Sequence, residues 1–85
     1  MQQFKNIGTE GWVDLVAAGL ELPATIGNMG SCECRVALSD TEPTDPLAGV
    51  PLRVFGERQS EMEVAAGATA VWVRFTITPS SVNAR

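Results

Sequence analysis

Two stretches of this chain alternate apolar and polar side chains with a period of two, and that period most restricts what the chain can fold into. In 69–77, TAVWVRFTI, residues Val71, Val73, Phe75 and Ile77 fall on one side of an extended backbone, with Ala70, Trp72, Arg74 and Thr76 opposite. In 32–38, CECRVAL, residues Cys32, Cys34, Val36 and Leu38 oppose Glu33, Arg35 and Ala37. Successive side chains of a strand point to opposite faces, so this pattern buries one face of a sheet and does not build the stripe of a helix. SEMEVA at 60–65 sends Met62 and Val64 inward and Glu61 and Glu63 outward. VPLRVF at 50–55 aligns Val50, Leu52 and Val54, and Pro51, which cannot donate to a ladder, predicts an edge strand there.

Turn residues punctuate these segments at Pro23, Gly27-Asn28-Met29-Gly30, the Pro43 and Pro46 loop, Gly56 and Ala66-Gly67. ELPATIG therefore predicts a short strand around Ala24 to Gly27, paired as a hairpin with 32–38 through a turn in which Asn28 and Gly30 supply backbone freedom. Residues 9–19 fit two readings. Thr9 as a cap with Trp12, Leu15, Val16 and Gly19 at helical spacing predicts a short helix, whereas WVDLV, rich in strand formers and weakened as a helix by Gly11, predicts a strand. The expected fold is all-β: a small antiparallel β-sandwich or barrel of about six to seven strands, with at most one short helix near the N-terminus. Residues 1–85 are expected to form a single domain, with a loose tail from about residue 78.

The same residues narrow the chemistry. Ten acidic against six basic residues give a net charge of −4, which repels phosphate backbones, and the bases are scattered singly, so no nucleic-acid partner is expected. The chain has no histidine and thus lacks the usual general base near neutral pH and the partner of a Ser or Cys nucleophile; no enzyme and no catalytic residue is expected. GNMG does not extend to a phosphate-binding glycine motif. Asp40, Glu42 and Asp45 crowd one loop, but their spacing is not that of a calcium loop. Cys32 and Cys34, one residue apart on a strand, are held too far apart to bond each other and make half a zinc site at best; buried reduced thiols, no metal and no cofactor are expected. No secretory leader and no membrane-spanning stretch is expected, since VAAGATAVWV falls short of a bilayer.

Taken in order, GWVDLV, NMG, CECRVAL, EPTDPLAG, PLRVFGE and GATAVWVRF resemble the small virion-associated β proteins of tailed bacteriophages, of the decoration, cement or fibre-adaptor kind. The resemblance covers about Trp12 to Phe75; Cys-Glu-Cys and the lack of a glycine-rich turn at 62–65 depart from it. It implies a non-catalytic structural protein, made in the host cytoplasm and located in the virion, working with copies of itself, a trimer favoured, and with other virion proteins, but not with a membrane. The alternative is a carbohydrate- or receptor-binding β-sandwich module, for which only Trp12 and Trp72 are available as aromatic platforms.

The interface candidates are Trp72, Arg74 and Trp12. If Val71, Val73, Phe75 and Ile77 face the core, Trp72 and Arg74 share the outer face, and both residue types are enriched at binding hot spots. Cover on both faces of the strand, or a bulge, would instead make Trp72 an ordinary core residue.

Overall fold

The computed structural model describes all 85 residues and contains eight strands: β1 (Gln2–Ile7), β2 (Val13–Asp14), β3 (Ala24–Asn28), β4 (Cys34–Ala37), β5 (Val50–Leu52), β6 (Glu61–Val64), β7 (Trp72–Phe75) and β8 (Ser80–Ala84). They form two four-stranded sheets, one ordered β1-β8-β3-β6 and the other β2-β7-β4-β5, with every pairing antiparallel. Only the β4–β5 connection stays within a sheet; each of the others carries the chain across to the opposite one. Two sheets interleaved in this order, with the first strand beside the last, are a jelly roll. Residues 8–12, 29–33, 53–60 and 76–79 close one end of the sandwich, called the upper end here, and 15–23, 38–49 and 65–71 the lower.

The core lies between the sheets. Ile26, Val64, Val82 and Ala84 from the first meet Cys34, Val36, Leu52, Val73 and Phe75 from the second, with Ile7, Leu15 and Val71 sealing the margins. The alternation of 60–65 and of 71–75 is that read from the sequence, and Pro51 does lie on an edge strand. The fold class is all-β as expected, but the strand count is eight.

Several expectations are corrected. β3 and β4 are not a hairpin: they lie in opposite sheets, and 29–33 is a crossover. Neither Asn28 nor Gly30 has a positive φ. Asn28 acts through its side chain, and Gly30 through its size, since a Cβ there would come within 2.8 Å of Ser80 and Phe75 atoms. Residues 9–19 are neither a full strand nor a helix. Two residues pair with β7, and the chain then makes one tight turn in which the Asp14 carboxylate accepts from the Val16 and Val71 amides at 2.9 and 3.2 Å and the Ala18 amide reaches the Asp14 carbonyl at 3.1 Å. The tail expected from residue 78 is instead β8, an inner strand held between β1 and β3 with Val82 fully buried. Leu38 and Ile77, placed inward by alternation, are 51% and 77% exposed because β4 and β7 end before them. On the edge strand Val50 is half exposed despite facing the same way as Leu52.

Candidate functional site

β7 is an inner strand of the second sheet and sets the geometry of that sheet's outer face. Val73 and Phe75 are fully buried, so Trp72 and Arg74 are turned outward, both half-buried. Directly opposite residues of an antiparallel pair share a face. Arg35 of β4 stands opposite Arg74, Ala37 opposite Trp72, and Asp14 of β2 flanks Trp72 on the other side. Trp12 precedes the Val13–Val73 pair by one residue, which brings it level with Arg74; it is half-buried and borders a shallow cleft with Pro79 at the upper end. The three interface candidates thus lie on one side of the molecule, and the register adds Arg35, which sequence reading had left among the scattered bases. Its signal was present in CECRVAL, where alternation sets Arg35 outward between two inward residues.

The 38–49 loop crosses this face. The Trp72 indole Nε1 donates to the Ser39 carbonyl at 2.9 Å and Arg74 Nη1 donates to the Pro46 carbonyl at 3.2 Å, so both ends of the loop are fastened to β7. Asp40 is bonded to the Thr69 hydroxyl, and the Asp45 carboxylate caps the Leu47 amide at 2.8 Å. Gly49 returns the chain to β5 at φ 80°, where a Cβ would lie 2.2 Å from the Val36 carbonyl oxygen. Trp72 is therefore an outward residue roofed by its own chain, intermediate between the two readings that alternation left open.

Arg35 and Arg74 are in no ion pair, although Asp14 and Glu33 stand on the same side of the sheet. The two ion pairs of the chain, Arg53–Glu57 at 3.1 Å and Arg85–Glu61 at 3.0 Å, lie elsewhere and are well exposed. The Arg35 side chain has no hydrogen-bond partner, and its Nε is buried. Two like charges opposite each other on neighbouring strands are unfavourable, and a buried donor without an acceptor costs more.

Other candidates carry less chemistry. Cys32 and Cys34 are both buried and free. Burial, reinforced by Cys32 and Glu33 nearby, pushes the Cys34 thiol up to about 12, which makes it a poor nucleophile. The Cys32 sulfur accepts from the Thr78 amide at 3.4 Å and ties the upper-end loops together. No three Asp, Glu or Cys side chains converge closely enough to hold a metal ion. The upper end also exposes Phe55, at 64%, and Ile77, which sequence reading had not assigned there. Comparison with known proteins found no matching family model, no matching curated relative and no matching solved structure.

Proposed function

We propose that this chain is a non-catalytic structural protein of the bacteriophage virion, of the decoration, cement or fibre-adaptor kind, which works by symmetric association with copies of itself and by contact with other virion proteins. The observation that carries the reading is the outer face of the second sheet. It gathers Trp72, Arg74 and Arg35, with Trp12 at its margin, the side-chain types on which binding energy concentrates, and it leaves the Arg35 guanidinium without a partner inside its own chain. The jelly roll supports the reading more weakly, since the architecture also serves lectins and cupins. With no histidine in the chain and Cys34 held protonated, the side chains offer little for acid–base or nucleophilic work near neutral pH. A trimer is favoured, following the resemblance.

The test compares wild type with Trp72→Ala by light scattering over a range of concentrations, with thermal unfolding measured on the same samples. The reading expects an oligomeric wild type and a folded variant of lower mass. A wild type that stays a monomer at every concentration removes self-association, and recovery of the chain from purified phage particles tests the virion placement separately. Two outward tryptophans on one side also support a carbohydrate-binding module; a glycan array that retains the wild type and loses the Trp72→Ala variant would favour that alternative.

A further inference from the structure

Every cation of this chain but two is either an exposed residue or paired with a carboxylate. The exceptions face each other across β4 and β7. Arg35 and Arg74 are direct register partners, both half-buried, and neither is in an ion pair. The Arg35 side chain makes no hydrogen bond and its Nε is buried, while the Arg74 side chain uses one donor on the Pro46 carbonyl. A guanidinium carries five donors arranged to meet a carboxylate two at a time, so the outward nitrogens of the pair form a cradle for one carboxylate, which would neutralise the repulsion between them.

The chain also carries a carboxylate that fits. In the 38–49 loop Asp40 and Asp45 are each engaged, by Thr69 and by the Leu47 amide, whereas Glu42 is exposed with neither an ion pair nor a hydrogen bond. It falls in sequence between Ser39 and Pro46, the two points at which the loop is fastened to β7, and forms no ion pair with Arg35 or Arg74. An unmatched acid on the rim and an unmatched pair of bases on the face of one molecule are complementary between copies.

We propose that Arg35 and Arg74 receive the Glu42 carboxylate of a second copy of this chain. The inference rests on the reading of the second sheet's outer face as an assembly surface and adds its charge chemistry. Contact of this kind joins copies reciprocally as a pair or head to tail as a ring, and the same three residues serve either closure.

Charge reversal tests it. Arg35→Glu and Glu42→Arg are each expected to weaken self-association at least about tenfold, and the doubly reversed chain to recover part of it, because the charges exchanged at 35 and 42 again meet between copies while Arg74 still opposes the base now at 42. Thermal unfolding of each variant confirms that the subunit is folded, and Arg35→Gln serves in its place if Arg35→Glu does not fold. Association of the wild type should weaken as salt is raised. Wild type that assembles through Trp72 while both single reversals assemble equally well overturns the charge pairing and leaves the surface standing. Loss in both singles without recovery in the double overturns the choice of Glu42. A wild type that never associates overturns both the pairing and the surface.

Discussion

The side chain of Asn28, at the end of β3 in the first sheet, donates to the backbone carbonyl of Leu52, at the end of β5 in the second, at 3.2 Å. The same amide nitrogen donates to the Cys32 carbonyl at 2.8 Å, and the amide oxygen accepts from the Gly30 N–H at 2.7 Å. One buried polar residue thus satisfies three backbone groups where the chain leaves one sheet for the other.

Asn28→Ala should therefore cost about 3 kcal/mol, because two carbonyls and one N–H lose their partner away from water. Asn28→Asp should cost at least as much, since it sets a carboxylate oxygen against the Leu52 and Cys32 carbonyls. A fall in Tm of about 12 °C or more for either is the expected reading on a domain this size. A fall of only a degree or two would mean that water replaces the amide.

Two glycines with similar backbone angles should separate cleanly. Gly49 and Gly56 have φ of 80° and 88°, but a Cβ at Gly49 meets the Val36 carbonyl and one at Gly56 meets nothing within 4 Å. Gly56→Ala should cost about 1 kcal/mol, from the left-handed conformation alone. Gly49→Ala carries the same strain plus a collision with an inner strand and should cost clearly more in urea unfolding. Equal costs would show that the 38–49 loop yields freely.

Alkaline pH should destabilise the fold through Cys34. The folded state keeps the thiol proton up to about 12, whereas the unfolded chain releases it at 9.0. The stability contributed by Cys34 is therefore complete below about pH 9 and is lost as pH rises from there towards 12, with a slope of at most about 1.4 kcal/mol per pH unit. The chain has one lysine and no tyrosine, which leaves few other groups to titrate in that window. Cys34→Ala should flatten the slope, and a variant as alkali-sensitive as wild type would place the effect elsewhere.

Removing residues 80–85 should abolish cooperative unfolding. β8 supplies ladders to both β1 and β3 and buries Val82 and Ala84, so without it the first sheet loses its centre. Circular dichroism through a thermal ramp gives the answer, and a truncated chain with a sharp transition would contradict the strand order.

The error over β8 shows where the sequence is silent. SSVNA buries only Val82 and Ala84, and its serines and Asn83 read as loop residues because a half-buried strand needs few apolar side chains when its neighbours supply the rest. β1 was missed for the same reason: QQFKNI is polar, and Ile7 is its only fully buried residue. By contrast Val71, Val73 and Phe75 were legible because that strand supplies large side chains to the core. Alternation fixes which face of a strand is buried, but not which sheet the strand joins, and so the hairpin placed across Asn28 became a crossover. Trp72 and Arg74 were legible as an outward pair. The opposition of Arg35 to Arg74 was not, because it depends on the register between strands 39 residues apart in numbering.

The crossing of the chain between sheets at almost every connection also governs how the molecule is made. Strands neighbouring in space are distant in sequence, and β1, the first to leave the ribosome, finds its partner only when β8 has followed it. Little of this fold can be banked as local hairpins during synthesis, so a nascent chain carries unpaired edges until β8 has emerged and then closes in one late step.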